Sequence, residues 1–169
     1  MGHNPHFESA AQTLGRLIAQ TGNTLVYGGS NKGYMGTVSS AVLDNGGKVI
    51  GIIPTFFSPE IIHSQEVTEL VLVESLSQRK ELMAERSDAF IAISGGIGTL
   101  DEVSEILAYN QLGRMDRVKP MGILNTDGFF TPLLEQFRIM KNEGLFTGES
   151  YDSIVVASTP EEMLEKITH

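Results

Sequence analysis

Glycines, a hydroxyl and two carboxylates are packed together in Gly95-Gly96-Ile97-Gly98-Thr99-Leu100-Asp101-Glu102. The apolar run Ala89–Ile93 precedes them as a buried strand, and a helix is predicted from Thr99 to about Gln111. A glycine turn between strand and helix bares backbone N–H groups, and the helix dipole adds partial positive charge. An anion such as a phosphate suits that place. A carboxylate at Glu102, within a few ångströms of such a ligand, would be positioned for acid/base or nucleophilic work. Spacing alone favours a plainer role. Thr99-x-x-Glu102 is a capping box, in which Glu102 accepts from the Thr99 backbone N–H.

A second glycine loop, Gly28-Gly29-Ser30-Asn31-Lys32-Gly33-Tyr34-Met35-Gly36, also follows a predicted strand. It does not match G-x-G-x-x-G, and the next strand ends in Gly51-Ile52-Ile53-Pro54 with no acid for a ribose hydroxyl. No Walker sequence occurs, so dinucleotide redox chemistry and P-loop hydrolysis are disfavoured. Tight strand-to-helix turns explain one such loop as well as a ligand does; two on one sheet edge favour a phosphate-bearing ligand. Arg79 lies beside an apolar stripe of Leu76, Leu82 and Met83, with no acid at helical spacing on its own helix. An inward arginine there calls for a carboxylate or phosphate, unless it snorkels from the stripe's margin. Lys80 and Glu81 read as a solvated face. The four histidines form no ligand pattern, G-x-S-x-G is absent around Ser94, and no metal is expected.

These residues need a scaffold, and the order of elements supplies one. Asn4-Pro5 opens a helix, and Thr21-Gly22-Asn23 ends it. Strand Thr24–Tyr27, helix Tyr34–Asn45 and strand Lys48–Ile53 follow. Next come strand Thr68–Val73 and a helix from Ser75 to about Ser87, with Ser75 and Gln78 spaced as a capping box. After the Glu102 helix come strand Met121–Leu124, helix Phe130–Asn142, strand Ile154–Ala157 and a last helix opened by Thr159-Pro160-Glu161-Glu162. Alternating strands and helices predict an α/β fold: a doubly wound, Rossmann-like parallel sheet with helices on both faces and ligands beyond the strands' carboxyl ends. At 169 residues the chain, 1–169, is expected to be a single domain. It lacks a membrane span or signal region and has no cysteine, which fits a reducing cytoplasm. A net charge of −9 argues against a general hold on nucleic acid.

Taken together, Ser94-Gly95-Gly96-Ile97-Gly98-Thr99-Leu100-Asp101-Glu102 resembles the P-G-G-x-G-T-x-x-E motif of the LONELY GUY family. These are cytokinin riboside 5′-monophosphate phosphoribohydrolases, often mislabelled as lysine decarboxylases. The resemblance also takes in Tyr27-Gly28-Gly29, Gly33-Tyr34-Met35-Gly36, Arg79-Lys80 with Met83, Gln111-Leu112-Gly113, Lys119-Pro120 and Asn125-x-Asp127-Gly128-Phe129. It implies hydrolysis of the N-glycosidic bond of a purine nucleoside 5′-monophosphate to free base and ribose 5-phosphate, without a cofactor, in a homodimer. It assigns Arg79 and Glu102 as the catalytic pair, with Arg79 orienting Glu102 and keeping it ionised. Phosphate falls to Gly95, Gly96, Gly98 and Thr99. Lys80, Met83, Gly28 and Gly29 join the substrate side, and Glu60 matches a substrate-contacting glutamate.

The alternative from a different class is a mononucleotide-binding module without turnover. Two departures bear on function. Ser94 replaces the motif's proline and removes no functional group, whereas Tyr109-Asn110 replaces a Trp-Ala or Trp-Thr pair and touches base preference. A third concerns the fold. Family members usually begin with a strand ending in Gly-Ser-Ser, and Met1-Gly2-His3-Asn4-Pro5 looks like the continuation of that motif. The first strand is therefore expected to be absent, through a start assigned inside the motif or a truncated chain.

Overall fold

The structure, a computed structural model, describes residues 2–57 and 67–167. It divides into two compact units, Met1–Ser87 and Asp88–His169.

In the first unit, Asn4 accepts from the His6 N–H at 2.9 Å and Pro5 is the first residue of α1 (Pro5–Gln20), as the sequence predicts. Strand β1 (Thr24–Tyr27) leads to α2 (Gly33–Asp44), β2 (Lys48–Pro54), β3 (Glu69–Val73) and α3 (Leu76–Arg86). The three strands are parallel in the order β1-β2-β3, with Tyr27 level with Gly51 and Gly51 level with Leu70. Helices α1 and α2 both close by hydrogen bonds from a left-handed glycine and its successor back into the last turn. Gly46 N–H donates to Leu43 and Gly47 N–H to Val42, each at 2.9 Å. Where α1 meets α2, Gly15 brings the backbones close. A Cβ there would stand 2.7 Å from that of Ala41.

The second unit runs β4 (Phe90–Ala92), α4 (Ile97–Leu112), β5 (Met121–Leu124), α5 (Thr131–Asn142), α6 (Gly148–Asp152), β6 (Ile154–Ala157) and α7 (Pro160–Ile167). Its sheet is again parallel, in the order β4-β5-β6. Central β5 is buried along its whole length, which explains its near-continuous apolar sequence. Thr159 caps α7 as expected: its hydroxyl accepts from the Glu162 N–H, and the Glu162 carboxylate accepts from the Ser158 N–H at 2.9 Å. The short helix α6 and the 3₁₀ turn at Thr126–Gly128 are not announced by the sequence's periodicity.

Parallel sheets with helices on both faces make this the α/β architecture expected, with every predicted strand present. No described helix is long and apolar enough to cross a membrane.

Candidate active site

In the second unit the glycine run forms the turn from β4 into α4, but the helix starts earlier than its polar residues suggest. Gly96 is the N-cap and Ile97 the first helical residue, so Thr99 is the third and Glu102 the sixth. The Thr99 N–H donates to the Gly96 carbonyl at 3.1 Å, and no side chain caps the helix. The capping box expected of Thr99 and Glu102 is therefore absent. Glu102 lies in the second turn and is half-buried. Packing decides this. A Cβ on Gly95 would overlap the Thr99 hydroxyl, so the threonine side chain folds back over the turn instead of standing before the helix. Glycine is an acceptable N-cap, but its signal is weaker than the threonine–glutamate pair three residues on.

The first helical N–H groups of any α-helix have no partner within it. Here the Thr99 N–H turns back to the Gly96 carbonyl, and the residues that carry the others are exposed. Gly96 and Gly98 are exposed with nothing within 4 Å of a notional Cβ, and Ile97 is 83% exposed. A 16-residue helix ending in such a turn is a ready site for an anion. Gly95, Gly96, Gly98, Thr99 and Glu102 are thus brought together on one helix start.

The first unit carries the other predicted residues. Beyond β1, Gly28 and Gly29 are buried, and Gly29 has φ +75° with Ile53 of β2 directly against it. Ser30 Oγ accepts from the Lys32 N–H at 3.1 Å, and α2 then starts at Gly33 without a side-chain cap. Helix α3 brings Arg79 to this loop. Ser75 caps the helix, accepting from the Gln78 N–H at 3.1 Å. The Gln78 amide oxygen, however, accepts from Glu74 rather than from Ser75, one residue outside the expected box.

Arg79 is half-buried, and a Cβ on Gly28 would stand 3.3 Å from its Nη1 and 3.3 Å from Met35 Sδ. Gly28 therefore makes the room in which the guanidinium lies. Lys80 and Met83 are half-buried beside Arg79, so Lys80 does not stand on the solvated face that its place in the sequence predicts. Leu76, expected in the apolar stripe, is 45% exposed. Glu60 lies outside the described residues. At the end of β1, burial pushes the Tyr27 phenol up from its ordinary range, with a hydrogen bond from Ser39 pulling the other way.

Gly28→Ala tests this arrangement. Both neighbours are ends of flexible side chains, so the melting temperature should move by no more than about 3 °C. Displacing the guanidinium should lower kcat/KM for the substrate by about tenfold or more. An unchanged kcat/KM would show that Arg79 does not act from this position.

Asn110 has a different role from the one its sequence position suggests. It is buried, donates from Nδ2 to the Lys119 carbonyl at 2.9 Å and to Ser153 Oγ at 3.0 Å, and accepts from the Lys119 N–H at 3.0 Å. It ties α4 to the entry of β5 and to the residue before β6. Of the basic residues near turns, Arg117 pairs with Asp88 at 2.7 Å, and Lys119 is buried with Nζ 3.4 Å from Asp116. Among the described residues no group of three or more His, Cys, Asp or Glu side chains gathers to hold a metal.

A family profile described as "Possible lysine decarboxylase" matches residues 35–167. A probable cytokinin riboside 5′-monophosphate phosphoribohydrolase of Oryza sativa subsp. japonica is 43% identical over 98% of this chain and 67% of its own length. A cytokinin riboside 5′-monophosphate phosphoribohydrolase of Arabidopsis thaliana is 41% identical over 98% of this chain and 76% of its own. The chain thus spans two thirds to three quarters of these relatives. Among solved structures, a molybdenum cofactor binding protein of Rippkaea orientalis superposes with a TM-score of 0.73 at 31% identity, covering 98% of this chain and 88% of that one. The molybdenum cofactor carrier protein of Chlamydomonas reinhardtii gives 0.70 at 25% identity, with 98% and 88% covered.

Proposed function

Because the chain belongs to the LONELY GUY family of cytokinin riboside 5′-monophosphate phosphoribohydrolases, we propose that it hydrolyses the N-glycosidic bond of a purine nucleoside 5′-monophosphate to free base and ribose 5-phosphate. The observation that carries this is the open start of α4. A helix N-terminus suited to phosphate, with glycine as its N-cap and no side-chain cap bond, stands one turn before the Glu102 carboxylate. The sugar passes through an oxocarbenium-like transition state, so a carboxylate held near the anomeric carbon stabilises charge that develops only there. Glu102 is assigned that role, with Arg79 as its catalytic partner. Gly95, Gly96, Gly98 and Thr99 are assigned to the phosphate; Gly28, Gly29, Lys80, Met83 and Glu60 to the rest of the substrate. A cytoplasmic homodimer acting as a single domain completes the proposal. The lack of cysteine suits a reducing compartment, and light scattering would read a dimer's mass directly.

The test is incubation with AMP and with an N6-prenylated AMP, following base release by chromatography. Free base and ribose 5-phosphate in equal amounts are expected from at least one of the two. No release from either would reject the proposal. A module that binds nucleotide without turnover is not favoured, since the relatives across nearly the whole chain are named as hydrolases. It would return the nucleotide intact. Decarboxylation of lysine, the activity named in the family profile's description, is checked in the same samples by release of the diamine.

A further inference from the structure

Two buried hydroxyls lie at the carboxyl edge of the second sheet. Ser94 stands two residues beyond β4 and is 5% exposed; Thr126 stands two residues beyond β5 and is 8% exposed. Neither oxygen makes a hydrogen bond. Strands β4 and β5 are parallel neighbours with Ala92 level with Ile123, so both hydroxyls fall just past the same end of one strand pair. Buried polar groups are nearly always hydrogen-bonded, and an unmade bond costs stability that an alanine or valine would not. Two such groups at the sheet edge where α/β folds bind their ligands therefore need a reason.

Their surroundings supply one. Each hydroxyl precedes a helix that starts without a side-chain cap, α4 after Gly96 and α5 after Phe130. The turn that carries Thr126 is held in a fixed shape. Asn125 Oδ1 accepts from the Phe130 N–H at 2.7 Å, and Asn125 Nδ2 donates to Thr131 at 3.1 Å. Asp127 within it has φ +52°, a conformation that non-glycine residues adopt rarely and at a cost. Strain of this kind concentrates where ligands bind.

We propose that Ser94 and Thr126 are additional phosphate-binding residues, donating their hydroxyl protons to the substrate's 5′-phosphate when it docks at the start of α4. This rests on the phosphoribohydrolase reading. Rotation about χ1 carries a serine or threonine hydroxyl between staggered positions, so each can turn from its buried site towards an arriving anion. Bonds to an anionic oxygen are the stronger kind and offset the hydroxyls' unmet burial. The serine at the place of the motif's proline thus adds a donor that proline lacks.

The experiment uses Ser94→Ala, Thr126→Val and the double variant, with ribose 5-phosphate as the probe in calorimetry. The free variants should melt at or above the wild-type temperature, because each loses an unsatisfied hydroxyl. Affinity for ribose 5-phosphate should fall by about tenfold per hydroxyl, and KM for the nucleotide should rise in step, with kcat within about twofold. Unchanged affinity in the double variant would overturn the proposal, as would free variants that melt lower or a wild type that does not bind ribose 5-phosphate. A wild type that binds ribose 5-phosphate but releases no base would defeat the hydrolase reading and leave the phosphate assignment standing.

Discussion

Glu102→Gln is expected to abolish most turnover, lowering kcat by about 10²- to 10⁴-fold, the usual range for a positioned acid or base, while leaving the fold intact. The fold should survive because of where Glu102 stands. A glutamate closing a capping box contributes to helix stability through its bond to the cap N–H, and losing such a cap costs about 1 kcal/mol. Glu102 is the sixth residue of α4, the Thr99 N–H already bonds Gly96, and the glutamine keeps the side chain's size. The melting temperature should therefore shift by no more than about 3 °C. The measurements are base release from nucleoside monophosphate at saturating substrate and a thermal melt of the same sample. Surviving turnover would show that the carboxylate takes no part in the chemistry. A rapid-quench burst of base in the wild type would further mark a covalent sugar–enzyme intermediate, with Glu102 as nucleophile.

The second large effect is structural. Asn110→Ala removes three hydrogen bonds and leaves the Lys119 N–H and carbonyl without their partner in a residue that is only 5% exposed. Orphaning buried groups costs about 1–3 kcal/mol each, so a loss of about 3 kcal/mol is expected. That corresponds to a fall of about 6–12 °C in melting temperature for a chain of this size. Below the melt, the ratio of kcat/KM for prenylated AMP to that for AMP should stay the same, because Asn110 is committed to the scaffold. A changed ratio with a stable fold would return Asn110 to the base-recognition role that its place in the family pattern suggests.

Asn110 also shows what pattern reading misses. In the sequence it is one polar residue where the family carries a small or hydroxyl one, and its nearest interpretable neighbours are Tyr109 and Gln111. Its partners, Lys119 and Ser153, are 9 and 43 residues away. Nothing in spacing along a helix announces them. Thr126 is similar. Only the adjacency of β4 and β5 sets its hydroxyl and that of Ser94 at one sheet edge.

What the sequence determined by itself were features held by local chemistry. Helical and strand periodicities placed each strand and every long helix, and the side-chain caps at Asn4, Ser75 and Thr159 formed because cap and N–H lie two to three residues apart. The glycine turns were legible for the same reason. Tertiary structure decided where α4 begins, since the Thr99 side chain packs over Gly95 and passes the cap position back to Gly96. It decided too that Arg79 has room, which depends on Gly28 lying across from it on another element. Bonds within one turn are written in neighbouring residues; close approach between elements depends on how the chain packs, and that is set by residues far apart.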